Sequence, residues 1–312
     1  MRIGIIDLGT LSIRFDIYQL QPKLAPKLVR AYRDMLRLGE SIYACGRIDQ
    51  AAADRSCEQF RNIAKIAKDF DTEQILAVAT SALRDAEGGQ ALLERIRAET
   101  GIVVQIISGG EEARLTAVGI LANEQRLPER LALVDIGGGS TEISLVRKGQ
   151  IELQESLKIG AERLLQFASA KCGEFSHPVP EAVAQLIRNE CRRVLHTHLP
   201  DAAAFGVQLV VGSSGSIRAL ARLKRAHGEE ASTLDRDTVS ALVTEMLQAG
   251  PAEMLNIPGM EPNRMMVMVP GALLFEEILS HIHCRDVRVT RFSLRHGILA
   301  EFVRSSQKSP QE

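Results

Sequence analysis

The chain has 312 residues, which suits two domains of about 150 residues each. Apolar residues make up 45% of it, enough for two cores, while aromatics are 4% and tryptophan is absent, which argues against an aromatic stacking platform for single-stranded nucleic acid. A net charge of -1 offers no general attraction to polyanions or membrane surfaces, so any anion site must be a local cluster of Arg, Lys and backbone N–H groups.

Residues 2–8 form an apolar run that predicts a buried strand. Residues 12–20 alternate, with Ile13, Phe15 and Ile17 on one face and Ser12, Arg14 and Asp16 on the other, the period of a second strand. Residues 27–38 predict a third. From Asp49 onward Cys57, Phe60, Ile63, Ala64 and Ala67 recur at helical spacing. A strand over 75–79, a helix over 85–99, a strand over 102–107 and a helix over 111–121 complete a β-β-β-α-β-α-β-α series. The polar segment 122–130 marks a boundary, with one domain at 1–124 and a second at 125–312. The series then begins again, with strands at 131–135, 142–146 and 151–156 and helices near 161–167 and 180–195. A strand at 207–211 and helices from Ser216, at 238–247 and at 264–280 follow. A strand at 286–289 and a last helix from Leu294 close the chain. That helix, 294–304, is expected to pack back on the first domain, and the polar tail from Ser305 to fray.

The five cysteines, Cys45, Cys57, Cys172, Cys191 and Cys284, are odd in number and lack a C-x-x-C pair. Neither a metal knuckle nor a disulfide framework is expected, and a reducing compartment fits. The start M-R-I-G-I-I-D turns polar too soon for a secretory signal, and no apolar run approaches the roughly 20 residues that span a bilayer. A soluble cytoplasmic protein is the expectation. The histidines (His177, His196, His198, His227, His281, His283 and His296) contain no H-E-x-x-H. The spacing of His196/His198 and His281/His283 separates each pair on a helix, so no metal role is assigned to them.

Two segments share one design. Asp7, Gly9 and Ser12 in D-L-G-T-L-S are spaced as Asp135, Gly137 and Ser140 are in D-I-G-G-G-S. Each set follows an apolar strand, precedes an alternating one and opens a β-β-β-α series, which points to a duplicated fold. Glycine admits conformations closed to other residues, so successive N–H groups can face one anion-binding concavity, and the Ser adds a hydroxyl. The strand-end Asp can hold Mg²⁺, a hard cation that prefers oxygen ligands. The plain alternative is a hairpin with a Gly turn and a capping Asp. The run Gly137-Gly138-Gly139 weakens that alternative, because glycines in a strand setting cost roughly 0.5–1 kcal/mol each and need a reason.

Three further segments carry candidate chemistry. In S-G-G-E-E-A-R at 108–114 a strand ends and two carboxylates open a helix, either as dipole compensation or as a general base for an attacking water. In A-T-S-A-L-R-D-A at 79–86, Arg84 either forks onto phosphate oxygens or pairs with a surface acid. Gly212-Ser213-Ser214-Gly215-Ser216 lacks the Lys of a P-loop; its amides either take an anion at a helix N-terminus or make a tight strand–helix turn.

Taken in this order, the segments resemble the exopolyphosphatase / guanosine pentaphosphate phosphohydrolase (Ppx/GppA) phosphatase family in its short two-domain form, within the larger group of actin, sugar kinases and heat-shock chaperones. The resemblance covers nearly the whole chain. It rests on I-D-L-G-T-L-S-I-R-F, R-L-G-E at 37–40, A-T-S-A-L-R-D-A, S-G-G-E-E-A-R-L, V-D-I-G-G-G-S-T-E, the 212–216 loop, P-G-A at 270–272 and L-R-H-G at 294–297. It implies an α/β fold of two actin-like (ribonuclease H-like) domains flanking a cleft. It implies that Glu112 is the catalytic base and that Asp135, Glu142 and Asp7 lie near Mg²⁺ or another divalent cation. Gly9, Thr10, Ser12, Gly137, Gly138, Gly139, Ser140, Gly212 and Ser213 would cradle phosphate, with Arg84 and Arg264 holding the chain.

The implied activity is Mg-assisted release of terminal orthophosphate from inorganic polyphosphate. Hydrolysis of guanosine pentaphosphate (pppGpp), and a weakly active or non-catalytic sensor of polyphosphate or (p)ppGpp, are the alternatives within that resemblance. An actin-like ATPase or sugar kinase is another, against which S-G-G-E-E-A-R argues. No nucleic-acid or membrane partner is expected, and a homodimer is a candidate assembly that no surface in the sequence shows. Two departures from the family pattern matter. The usual G-S-N-S is Gly9-Thr10-Leu11-Ser12, which removes an amide at an expected cost on the order of 1–3 kcal/mol of binding. Met265-Met266 follow Arg264 where an acid is usual, which leaves the local partner of Arg264 open.

Overall fold

The computed structural model describes residues 1–226 and 232–308; His227 and residues 309–312 of the tail lie outside them. The first half runs β1 (Arg2–Leu8), β2 (Ser12–Gln19), β3 (Lys27–Met35), α1 (Leu38–Cys45), α2 (Gln50–Asp69), β4 (Gln74–Ala79), α3 (Ser81–Asp85), α4 (Gly89–Thr100), β5 (Val104–Ile106) and α5 (Gly109–Leu121). The second runs β6 (Arg130–Ile136), β7 (Thr141–Arg147), β8 (Gln150–Leu157), α6 (Ala161–Cys172), α7 (Glu181–His198), β9 (Leu209–Ser213), α8 (Ser214–Ala226), β10 (Thr233–Asp235), α9 (Arg236–Gln248), α10 (Pro251–Asn256), α11 (Met265–His281), β11 (Asp286–Val289) and α12 (Leu294–Lys308).

The sheets display the duplication. The first is ordered β3-β2-β1-β4-β5 and the second β10-β11-β9-β6-β7-β8. Each begins with an antiparallel meander, β1-β2-β3 or β6-β7-β8. Parallel strands then extend the first strand on its other side, β4 and β5 in one sheet and β9 and β11 in the other. β10 is an antiparallel addition at the far edge. Two mixed sheets of one design, each flanked by helices, make a two-domain actin-like α/β fold. Among the described residues no helix is long and apolar enough to cross a membrane.

Local structure departs from the sequence reading in places. The third strand, expected over 27–38, ends at Met35, and residues 38–45, for which the sequence predicts no element beyond Leu38, form a helix; Arg37, at φ 51, breaks the extended run. The helix expected over 85–99 starts only at Gly89, after Gly88 at φ 83, and a separate short helix, α3, precedes it. The short β10 and α10 have no counterpart in the periodicity, and α12 continues through Ser305 instead of fraying there.

Two helices tie the halves together. Ala117 and Ile120 of α5 pack with Leu131, Leu133, Val146 and Val211 of the second sheet. Leu115 of the same helix packs with Ile3, Ile5 and Val78 of the first, and there it meets Leu294, Ile298 and Leu299 of α12. A Cβ on Gly297 would strike the Leu115 carbonyl, so α12 crosses α5 at backbone distance. The wedge position of α5 sets its N-terminus, with Glu111 and Glu112, at the base of the cleft; Ser108 caps it by accepting from the Glu111 amide at 3.1 Å.

Candidate active site

Both glycine loops close in the same way. The Gly9 amide donates to the Ser12 carbonyl at 3.1 Å, and the Gly137 amide to the Ser140 carbonyl at 2.9 Å. Each loop is backed by the N-terminus of the helix that follows its meander. Arg37 and Gly39 amides donate to the Leu11 and Thr10 carbonyls, both at 3.0 Å. The Ala161 amide donates to the Gly137 carbonyl at 3.0 Å, and the Glu162 and Arg163 amides to the Gly138 carbonyl at 2.8 and 3.0 Å. Orphan donors of a helix start are thereby satisfied. A trans peptide sends its N–H opposite to its C=O, so the Leu11, Ser12, Gly138 and Gly139 amides are directed away from the backing helices.

None of Gly9, Gly137, Gly138 and Gly139 occupies the left-handed region, contrary to the expected reason for glycine here. Their small size serves close approach. A Cβ on Gly138 would lie 2.8 Å from Thr10 Cγ2 and 2.9 Å from Leu11 Cγ, and one on Gly139 would strike the Tyr43 hydroxyl. The loops of the two domains are pressed against each other.

They enclose a cavity of about 110 Å³. Of the predicted residues, Asp7, Gly9, Thr10, Ser12, Glu112, Asp135, Gly137, Gly138, Gly139, Ser140, Glu142 and Arg264 line it. Arg84, Gly212 and Ser213 do not. Gly212 and Ser213 are the end of β9, in register with Val134 and Asp135 of β6. Ser213 is fully buried and donates its hydroxyl to Asp135. The wall is made two residues later by Ser214, Gly215 and Ser216, with Ser214 at φ 86, a strained conformation for a residue with a side chain. Arg84 stands behind Glu112; its Nη1 donates at 2.9 Å to both the Glu112 carboxylate and the Ile107 carbonyl.

Arg264 is almost fully buried, and its open partner is Glu261, 2.8 Å away, which also pairs with Arg222. Burial, then the nearby Arg33 charge, lowers the Arg264 pKa to about 10. The sequence reading missed Arg14, although it follows Ser12 on the same polar strand face; it lines the cavity, and burial followed by the Arg295 charge lowers it to about 10 as well.

The two hairpins differ electrostatically. Asp7 lies in register with Arg14 and also accepts from Arg295 Nη1 at 3.3 Å. Asp135 lies in register with Glu142, an acid facing an acid. Burial raises the pKa of Asp135, and it raises Glu142 well above the ordinary 4.5, with the Glu112 and Asp135 charges adding to the effect. Burial also pushes Glu112 up to about 7, against the pull of Arg84.

Among the described residues no three His, Cys, Asp or Glu side chains converge to cage a metal. Of the expected trio, Asp7 faces Arg14 and accepts from Arg295, whereas Asp135 and Glu142 face each other. The Asp135–Glu142 pair fits Mg²⁺, which keeps several waters and is commonly held by one or two carboxylates together with substrate phosphates.

A profile of the Ppx/GppA phosphatase family matches residues 17–306. Exopolyphosphatase 1 of Mycobacterium tuberculosis is 28% identical over 311 residues, covering 96% of this chain and 87% of that protein. Exopolyphosphatase 1 of Mycobacterium leprae is 28% identical over 312 residues, covering 96% and 88%. An exopolyphosphatase from Cytophaga hutchinsonii superposes with a TM-score of 0.87 at 25% identity over 98% of both chains. An Aquifex aeolicus member of the Ppx/GppA family superposes with a TM-score of 0.78 at 22% identity over 99% of both. The chain belongs to the Ppx/GppA phosphatase family.

Proposed function

We propose that this protein is an exopolyphosphatase, releasing orthophosphate from the end of inorganic polyphosphate. The observation that carries the reading is a shared neck. Arg14, Gly215 and Arg264 line both the small loop-walled cavity and a second cavity of about 710 Å³. The second one is walled by Arg33, Arg218, Arg222 and Arg291 as well. Burial lowers the pKa of Arg33 and Arg218, and neighbouring arginine charges act in the same direction against the pull of Glu261, so cations predominate along this wall. A small chamber joined to a larger, arginine-lined one suits a substrate that is cut at its terminus and is anionic along its length. The relatives named exopolyphosphatases support the same reading.

Phosphoryl transfer asks the protein mainly for positioning and charge neutralisation. The terminal phosphate would sit against the outward amides of the two loops, with the hydroxyls of Thr10, Ser12 and Ser140 nearby. Arg14 and Arg264 hold the next oxygens at the neck. A divalent cation on Asp135 and Glu142 supplies further neutralisation of phosphate charge when bound. Glu112 takes the proton from the water that attacks the terminal phosphorus, and the shortened chain leaves toward the arginine cavity. With a pKa near 7, Glu112 is substantially ionised at neutral pH and still basic enough to accept that proton.

The test is phosphate release in MgCl₂ from long-chain polyphosphate, pppGpp and ATP, with wild type and Glu112→Gln. Rapid release from polyphosphate that Glu112→Gln abolishes supports the reading. Release from pppGpp alone makes the protein a guanosine pentaphosphate hydrolase, and tight binding without release makes it a sensor.

A further inference from the structure

The three peptides that follow Gly137 in the second loop are held by different means. The Gly137 and Gly138 carbonyls are held by backbone amides of α6. The Gly139 carbonyl is held by a side chain, Arg163 Nε, at 2.8 Å. That bond sets the orientation of the Gly139–Ser140 peptide and sends the Ser140 amide to the opposite side.

Arg163 does not end its reach within its own domain. Its Nη2 pairs with Asp85 of α3, in the first domain, and lies 3.5 Å from Ser81 Oγ. Its guanidinium lies 4.1 Å from the centroid of the Tyr43 ring, also in the first domain. Tyr43 in turn shares hydrogen bonds with Ser81 at 3.1 Å and Thr10 at 3.4 Å. The Asp85–Arg163 pair is mostly buried, with side chains 21% and 25% exposed, so solvent screens it less than a surface pair. Asp85 directly follows Arg84, the residue that holds Glu112.

We propose that Arg163 is a positioning residue that makes the anion-binding geometry of the second glycine loop conditional on domain closure. One guanidinium holds the Gly139 carbonyl on one side and, on the other, the short helix that carries Arg84. When the domains part, Asp85 and Tyr43 are withdrawn, and Arg163 loses the contacts that fix its Nε on the loop. When they close, the Ser140 amide and the Arg84–Glu112 pair are set in the same event. The catalytic part of this inference rests on the proposed phosphoanhydride hydrolysis; the closure part does not.

The experiment combines Asp85→Asn, Arg163→Met, their double variant and Arg163→Lys. Small-angle scattering with and without inorganic tripolyphosphate and MgCl₂ reads closure, polyphosphate turnover reads kcat and KM, and thermal melting controls for folding. Each single variant is expected to have a larger radius of gyration than wild type and a kcat lowered at least tenfold, with melting little changed. The double variant is expected to lose less than the sum of the two single losses, because both substitutions break one device, with Asp85→Asn also releasing Lys158, 3.4 Å from Asp85. Arg163→Lys, which keeps the charge for Asp85 but lacks the fork, should restore the compact radius while leaving kcat depressed. Wild-type dimensions in both single variants, additive losses in the double variant, or full kcat in Arg163→Lys would each overturn the proposal. If wild type hydrolyses no phosphoanhydride, the proposed function fails while the scattering comparison still decides the closure role.

Discussion

Asp135 stands directly across the second hairpin from Glu142, whereas Asp7, its counterpart in the first hairpin, stands across from Arg14. Like charges opposite each other in an antiparallel pair are destabilising. The second hairpin thus suits the proposed divalent cation, in the place where the first hairpin has Arg14. Asp135→Asn is expected to raise the MgCl₂ concentration for half-maximal activity about tenfold or more, the weight of one lost carboxylate contact of 1.4 kcal/mol. Asp7→Asn should leave that titration near wild type and lower thermal stability instead, since it strips a partner from Arg14 and Arg295. Equal displacement of the metal titration by both variants would restore Asp7 to the metal site.

Glu112 and Arg84 set a second expectation. With Glu112 raised to about 7, kcat should climb with pH through neutrality as the carboxylate loses its proton. Arg84 draws that value downward, so Arg84→Met should move the rising limb to higher pH. Glu112→Gln should lower kcat by about 10²–10⁴ with little change in KM, the usual scale for a general base. A pH–rate profile of wild type and both variants checks all three; an unmoved limb in Arg84→Met removes the pairing from catalysis.

The same carboxylates couple stability to pH. Unfolded, Glu112 and Glu142 ionise near the ordinary 4.5; folded, both hold their protons to higher pH, Glu112 to about 7. Between those limits the unfolded chain binds fewer protons than the native one, so stability falls as pH rises. Without divalent metal, Tm is expected to fall from pH 5 to pH 8. Glu142→Gln should flatten that slope and raise Tm at pH 8, by about 2–4 °C for each kcal/mol relieved. Calorimetry across this range would disprove the assignment if Glu142→Gln melted lower at pH 8 than wild type.

The site was legible where one continuous segment builds it. D-I-G-G-G-S-T-E encodes strand, turn and strand together, so Asp135, the glycines, Ser140 and Glu142 all reach the cavity. Gly212 and Ser213 were misplaced by two residues for a tertiary reason: the glycine reads locally as a turn, yet pairing with β6 and β11 carries β9 through Ser213. Arg163 and Arg295 are lone arginines in their segments. Their partners, Asp85 for one and Asp7 and Asp16 for the other, are far away in sequence, and no local pattern announces them.

Leu11 illustrates the remaining gap. Read as a lost amide, it implies weaker phosphate binding. In the fold it packs against the apolar core of the second domain, as Met265 and Met266 do. Leu11 also separates the loop cavity from a neighbouring one lined by Glu162 and Met266. Leu11 and Met266, one from each departure from the family pattern, thus border one interdomain cavity. Leu11→Asn would remove that apolar packing, and it is expected to lower Tm rather than to improve catalysis.

The arginine cavity gives the last expectation, one that depends on substrate length. Arg222 is a poor probe because it shares Glu261 with Arg264. Arg33 and Arg218 lie on the wall of the large cavity but not of the small one. Tripolyphosphate engaged at the loops extends only a short way past the neck, whereas a long chain must run along that wall. Arg33→Ala and Arg218→Ala should therefore raise KM for long polyphosphate by about tenfold each, the worth of one charge-assisted contact, and leave tripolyphosphate nearly unaffected. Added salt should weaken long-chain binding more in wild type than in the double variant, since screening acts on the cations that the variant lacks. Equal KM changes for short and long substrates would show that these arginines act on the loops rather than along the chain.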